Sequence, residues 1–119
     1  MHLLHLEDSP TDAELIAILI RREWPACEIK HVATAAEYRA ALECGGFDLI
    51  LSDYSLPGFD GLSALSMARA RFPETPFVFL SGTIGEERAV EALKRGATDY
   101  VIKDRTSRLI PAIRQAFAL

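Results

Sequence analysis

Phe47 to Gly61 reads FDLILSDYSLPGFDG, and the fold is decided there. The run Leu49-Ile50-Leu51 is apolar at consecutive positions, as a strand buried on both faces of a parallel sheet must be. It delivers a carboxylate, Asp53, to the strand's end, and Pro57-Gly58 then turns the chain. Open α/β sheets bind ligands outside the carboxyl ends of their strands, so an aspartate at that place marks a candidate site. Aspartate is also an ordinary turn residue, and the other strand ends must decide between a site and a solvated loop.

Working outward, short apolar runs alternate with segments of helical periodicity along the whole chain. Leu3 to Leu6 is the first expected strand, followed by a helix over Pro10 to Arg22 with Leu15, Ile16, Leu19 and Ile20 inward, Ser9 as its cap and Trp24-Pro25 as its stop. Glu28 to Val32, polar at alternate positions, reads as an edge strand; Thr34 caps a helix to about Glu43, and Gly45-Gly46 end it. Asp48 to Ser52 is the central strand, and a helix from Gly61 to Arg71 closes at Phe72-Pro73. Phe77 to Leu80 is the fourth strand. Glu86 to Arg95 is the fourth helix, acidic at its start, basic at its end and terminated by a left-handed Gly96. Tyr100 to Ile102 is the fifth strand, and Thr106 is placed to cap a last helix with Leu109, Ile110, Ile113 and Phe117 on one face. Strands and helices in this alternation require right-handed parallel crossovers, which give an α/β three-layer doubly wound (βα)5 sandwich.

A chain of 119 residues, 50% of them hydrophobic, suits one compact domain spanning residues 1–119. The net charge of −4, with positive residues scattered, argues against a chain whose main business is nucleic acid, although a regulatory domain attached to a DNA binder has the same composition. No apolar run approaches the roughly 20 residues of a membrane span, and the start MHLLHL lacks a basic signal region. A cytoplasmic location is expected. Cys27 and Cys44 have neither metal-ligand nor CxxC spacing and read as reduced structural residues. The chain stops with its last helix, as a stand-alone domain or a domain of a longer protein does.

Parallel strands put every residue that follows a strand on one edge of the sheet. Those residues are Glu7-Asp8, Asp53, Ser81-Gly82-Thr83 and Lys103. Three carboxylates converging from two strands repel one another and bind a proton or a hard divalent cation; so few oxygen ligands suit Mg²⁺ with several retained waters. Each residue alone has a bland explanation, as a cap, loop or surface side chain. Together they place a cation site, a nucleophile, a hydroxyl and an ammonium where this fold does chemistry.

Glu7-Asp8, the segment Asp53 to Gly61 with Pro57 four and Gly61 eight positions after the aspartate, Ser81-Gly82, Tyr100 and Lys103 together resemble the receiver domain of bacterial two-component (phosphorelay) response regulators. The resemblance covers all five strand-helix units. It implies the flavodoxin-like parallel sheet of order 2-1-3-4-5, the order given for this fold. It further implies that Asp53 is the phosphoacceptor, attacking a phosphohistidine or a small acyl phosphate to give an aspartyl phosphate. By the same resemblance Asp8 and Asp53 ligate Mg²⁺ directly, Glu7 through water and Ser55 through its backbone carbonyl. Lys103 and the metal then neutralise phosphoryl oxygens, with backbone amides near Tyr54 and Gly82 assisting. Ser81 moves to the new phosphoryl group, and Tyr100 turns from an exposed position into the vacated space, which reports the change on the surface of the fourth helix, fifth strand and fifth helix. The implied partners are a histidine kinase or histidine phosphotransfer protein and a downstream output domain or protein, with no direct nucleic-acid or membrane binding.

Two departures from the family pattern stand out. Glu7 replaces the usual first aspartate, a tolerable change for a water-mediated ligand. Lys103 is followed by Asp104-Arg105 and not by the usual cis proline; a non-proline cis bond costs about 2.5 to 4 kcal/mol, so a trans bond and an altered loop are expected, with Asp104 and Arg105 changing the partner surface. This ending is similar to receivers attached to or serving hybrid sensor kinases. Ser55 and Thr83 flank the site and are expected to tune the phosphoryl lifetime.

Other functions fit less well. A haloacid-dehalogenase-type phosphatase needs a second acid two residues after its aspartate, where this chain has Ser55. A flavin or nucleotide carrier needs a phosphate-cradling loop after the first strand; here that loop begins with Glu7-Asp8, and neither GxGxxG nor GxxxxGK[ST] occurs. The alternative from another class is a receiver-like interaction module acting without phosphorylation, which least predicts the joint presence of Asp8, Asp53, Ser81 and Lys103. The expectation is therefore a phosphoacceptor regulatory domain that catalyses only its own phosphorylation and dephosphorylation, not an enzyme for an external substrate.

Overall fold

The computed structural model describes residues 1–82 and 85–118. In chain order the elements are β1 His2–Leu6, α1 Pro10–Glu23, β2 Glu28–Val32, α2 Ala35–Cys44, β3 Leu49–Ser52, a hairpin of Ser55–Leu56 with Phe59–Asp60, α3 Gly61–Arg71, β4 Phe77–Ser81, α4 Glu86–Lys94, β5 Asp99–Ile102, a 3-10 segment Lys103–Arg108 and α5 Leu109–Ala118. The five strands β1 to β5 form one all-parallel sheet in the order 2-1-3-4-5. Fold class and strand order are those expected.

The apolar runs explain the layers. Alternate residues of a strand point to opposite faces, so β1 and β3 each supply both sides of the sheet. Leu4, Leu6, Ile50, Phe77 and Phe79 meet Tyr38 and Leu42 of α2, Ala64, Leu65 and Ala68 of α3 and Ala92 of α4. Leu3, Leu49, Leu51, Val78, Leu80 and Val101 meet Ile16 and Ile20 of α1 and Leu109, Ala112, Ile113 and Ala116 of α5. The sheet is thus buried between two helical layers. β2, at the edge, exposes Glu28, Lys30 and His31.

The helix ends follow local chemistry. The side chains of Ser9, Thr34 and Asp60 accept the backbone N–H groups of Asp12, Glu37 and Leu62, each satisfying a donor that the first turn of a helix leaves free. Gly96 follows α4 with φ +107°, the left-handed conformation expected of it.

Two inward faces differ from expectation. In α1 the buried residues are Ala13, Ile16 and Ile20, and Leu15 is 51% exposed. In α5 they are Leu109, Ala112, Ile113 and Ala116, while Phe117 is 45% exposed and Ile110 is half-buried. The physical reason is the same in both: alanines let a helix axis approach the sheet closely, so the stripe centres on small residues and the larger flanking side chains turn to solvent. Thr106 does not cap α5. It lies inside the 3-10 segment, and its carbonyl accepts the N–H of Leu109. Cys27 is buried as expected, but Cys44 is exposed at the end of α2 and has no packing role in the core. Among the described residues no peptide bond is cis, and no helix is long and apolar enough to cross a membrane.

Candidate functional site

The parallel sheet brings the residues after β1, β3, β4 and β5 to one edge. Asp53 is 8% exposed there, anchored by its N–H to the carbonyl of Leu6 at 3.0 Å and by the hydroxyl of Ser52, which donates to its carbonyl at 2.8 Å. Gly61 keeps the following hairpin tight. A Cβ at Gly61 falls 2.5 Å from the Tyr54 carbonyl oxygen and 2.8 Å from that of Asp53, so only glycine lets α3 start directly behind the acid. The turn between the two short strands uses Pro57 and then Gly58 at φ +69°, the pairing that a type II turn prefers.

Both carboxylate oxygens of Asp53 have partners. Oδ1 accepts the Ser81 hydroxyl at 2.7 Å and, more weakly, the Ser55 N–H at 3.4 Å. Oδ2 accepts from the Lys103 ammonium at 3.3 Å. That ammonium also donates to Asp12 Oδ2 at 2.8 Å and lies 2.6 Å from Glu7 Oε1, as an ion pair without hydrogen-bond direction. Glu7 is fully buried; its Oε2 accepts the Ser9 N–H at 3.1 Å. Asp8 is exposed at the mouth of the site. One oxygen each from Glu7, Asp8 and Asp53 lies within 4.8 Å of the other two.

Three carboxylates, Glu7, Asp12 and Asp53, therefore surround one ammonium, with Asp8 at the mouth, and the electrostatics respond. Burial pushes the Glu7 carboxyl above its ordinary range, against the pull of Lys103 and the Ser9 N–H. Burial alone lowers the pKa of Lys103, but Asp12, Glu7 and Asp53 outweigh it and hold the ammonium above its usual value. His5, 1% exposed on β1, is held neutral by burial, with His31 and Lys103 adding to the effect, and its pKa falls to about 3. The cluster keeps an excess of negative charge, and its hard, convergent oxygens fit a small divalent cation better than a soft one.

The structure brings together Glu7, Asp8, Asp53, Ser81 and Lys103 of the predicted strand-end residues, with Ser55 two residues from Asp53 on the hairpin. Thr83 lies outside the described residues. Tyr100 departs from expectation. It is not exposed but 8% accessible, beside Phe79 with ring centroids 6.1 Å apart, and its hydroxyl has no hydrogen-bond partner; burial pushes the phenol up to about 12. Ser81 gives its one hydroxyl hydrogen to Asp53.

Asp12, His5 and His31 were not legible as site residues. His31 makes a 2.7 Å hydrogen bond from Nε2 to the Glu7 carbonyl, and Asp12 pairs with a lysine 91 positions away. The signal for Asp12 was its place in the first turn of α1, which starts at the same sheet edge.

The match to known proteins agrees with this geometry. The family model for the response regulator receiver domain matches residues 3–114. The transcriptional regulatory protein YkoG of Bacillus subtilis is 34% identical over 119 residues, covering 96% of this chain and 51% of its own length. The sensory transduction protein RegX3 of Mycolicibacterium smegmatis is 34% identical over 113 residues, covering 94% and 48%. The chain thus spans about half the length of these curated relatives, and 14% of the response regulator FleR of Pseudomonas aeruginosa, with which it is 38% identical over 64 residues. Among solved structures, NtrX of Brucella abortus superposes with TM-score 0.86 at 30% identity, over 97% of this chain and 26% of that one. TrrA of Thermotoga maritima, crystallised in complex with Mg²⁺-BeF, has the same fold at TM-score 0.83 and 22% identity, with 97% of both chains covered. With the family match running over nearly its whole length, on a sheet of the order expected, the chain belongs to the response regulator receiver domain family.

Proposed function

We propose that this receiver domain takes a phosphoryl group onto Asp53 from a phosphohistidine or a small acyl phosphate. The observation that carries the proposal is the setting of Asp53, buried at a strand end and held between the Ser81 hydroxyl at 2.7 Å and the Lys103 ammonium at 3.3 Å. A carboxylate oxygen attacks phosphorus, the bond from phosphorus to the donor's nitrogen or oxygen breaks, and the leaving group takes the bonding pair. Lys103 offsets the charge that develops on the phosphoryl oxygens, in a reaction governed by positioning and electrostatics. Ser81, which donates to Asp53 Oδ1, would turn that hydrogen bond to a phosphoryl oxygen. Glu7, Asp8 and Asp53, with the Ser55 carbonyl, are the residues that would hold Mg²⁺; when bound it neutralises the acids and the incoming anion.

In this reading the regulatory consequence comes from Ser81 and Tyr100 rearranging when Asp53 is phosphorylated. We infer a cytoplasmic signalling domain whose donor is a histidine kinase or histidine phosphotransfer protein, and whose output passes to another domain or protein through α4, β5 and α5. Support for that face comes from Val90 and Leu93 of α4, exposed at 43% and 45%. Asp104 and Arg105, both exposed beside it, give the surface its own charge pattern. A net charge of −4 supports a domain that does not itself grip nucleic acid.

Intact mass after incubation with acetyl phosphate and Mg²⁺ tests the reaction. The expected result is one added phosphoryl group on the parent, none on Asp53→Asn, and none with a chelator. An unmodified parent that nevertheless binds Mg²⁺ would confine the reaction to a protein donor, and a parent that neither gains mass nor binds the ion would overturn the proposal.

A further inference from the structure

We propose that Asp12 is a positioning residue that holds the Lys103 ammonium in competition with the phosphoryl group, so that this chain's affinity for phosphoryl anions is set by α1 as well as by the strand ends. The inference rests on the function proposed above and assigns a regulator of that same site.

Ser9 to Asp12 has the spacing of a helix-capping box, in which the acid at the third helical position reaches back to the N–H of the cap residue. In this chain that N–H is already taken. Glu7 Oε2 accepts it at 3.1 Å, while Ser9 Oγ accepts the Asp12 N–H at 3.3 Å. The Asp12 carboxylate is thereby released from its usual local duty and turns to Lys103, 2.8 Å away with hydrogen-bond geometry. A closed circuit results: Glu7 fixes Ser9, Ser9 fixes Asp12, Asp12 holds Lys103, and Lys103 returns to Glu7 at 2.6 Å.

The distances rank the partners: Glu7 lies 2.6 Å from the ammonium, Asp12 2.8 Å and Asp53 3.3 Å. A phosphoryl group on Asp53 needs the same N–H donors, and it must draw them from a carboxylate that also repels it. Asp12 is 41% exposed at its side chain and Lys103 21%, so the contact opens without dismantling the core. Removing the Asp12 charge therefore helps the anion twice, by taking away one of the ammonium's two closest competitors, with Glu7 still in place, and by relieving repulsion. A purely structural role at a helix start has no such consequence.

The experiment uses beryllofluoride with Mg²⁺ as the probe, beside the acetyl phosphate concentration that half-saturates phosphorylation, in the parent, Asp12→Asn, Asp12→Glu and Glu14→Gln. Asp12→Asn is expected to bind beryllofluoride about three- to tenfold more tightly and to lower the half-saturating acetyl phosphate comparably. Asp12→Glu is expected to restore parent behaviour. Glu14→Gln removes an exposed charge from the same helix without touching Lys103 and is expected to change neither value. A metal-free readout accompanies these: the ¹⁵N signal of the Lys103 ammonium, protected from exchange in the parent and in Asp12→Glu, is expected to lose that protection in Asp12→Asn. Unaltered protection, or an Asp12→Asn anion affinity equal to or below the parent's, overturns the inference while leaving the proposed function intact. A parent that neither binds the probe nor gains a phosphoryl group overturns both.

Discussion

The two edges of the sheet treat their polar groups in opposite ways. At the amino edge each group has its own partner. The His2 N–H meets Asp48 Oδ2 at 2.7 Å and the Phe77 N–H meets Thr98 Oγ1 at 3.0 Å. Arg69 of α3 donates to the carbonyls of Gly96 at 2.9 Å, Thr75 at 2.6 Å and Phe72 at 3.4 Å, tying the ends of α3 and α4 to the chain entering β4. At the carboxyl edge three acids, Glu7, Asp12 and Asp53, share one ammonium. Among the described residues, the buried side-chain atoms without a hydrogen bond are His5 Nε2, Glu7 Oε1 and Tyr100 Oη, and all three side chains lie within electrostatic reach of Asp53. Since buried polar groups are ordinarily satisfied, the contrast assigns stability to one edge and chemistry to the other.

If that division holds, damage at the amino edge costs stability and nothing else. Arg69→Met keeps the aliphatic stem and removes three carbonyl partners, so it is expected to destabilise the fold by about 2 to 3 kcal/mol in urea titrations. The initial rate of phosphorylation by acetyl phosphate is expected to stay within about twofold of the parent. A rate that falls with stability would join the two edges into one cooperative unit and break the comparison.

The carboxyl edge is expected to show its strain as pH dependence. His5 has a folded pKa of about 3 against about 6.5 for an unfolded histidine. Between those values the unfolded chain binds more protons, so stability is full above about pH 6.5 and falls as pH drops. From pH 7 to pH 5 that loss is about 2 kcal/mol. Glu7, with its carboxyl raised by burial, acts in the opposite direction, and it is common to parent and variant. In chelator, His5→Leu is therefore expected to gain about 2 kcal/mol on the parent between pH 7 and pH 5. Parallel pH profiles for the two proteins would mean that His5 is protonated or solvated in the folded chain.

The same contrast explains what was legible in the sequence. The runs Leu49-Ile50-Leu51 and Phe77 to Leu80 announce buried strands because a sheet covered on both faces has no polar side. Asp53, Ser81 and Lys103 were legible as one site because parallel strands erase the sequence distance between their ends. Strand order came from the family resemblance alone, since alternation permits several orders. The facing of Leu15 and Phe117 was illegible because it depends on how closely α1 and α5 approach the sheet, which Ala13, Ala112 and Ala116 set. Asp12 was hidden for a different reason. Its partner is decided by who occupies the Ser9 N–H, and that is a fact of three-dimensional competition with Glu7.

Tyr100 supplies the smallest test and the one most sensitive to sign. Its ring is useful to the fold, packed beside Phe79, whereas its hydroxyl is buried without a hydrogen bond. Tyrosine to phenylalanine in a core usually costs stability because a bonded hydroxyl is lost. An unbonded one reverses the sign, since the unfolded chain hydrates that hydroxyl and the folded chain does not. Tyr100→Phe is therefore expected to stabilise the unphosphorylated protein by up to about 1 kcal/mol. Ring packing is retained, so acetyl phosphate is expected to modify the variant as fast as the parent. Destabilisation by a comparable amount would show that the hydroxyl has a working partner in solution. Ser81 is the nearest available, and the orphaned atoms of the carboxyl edge would then reduce to His5 and Glu7.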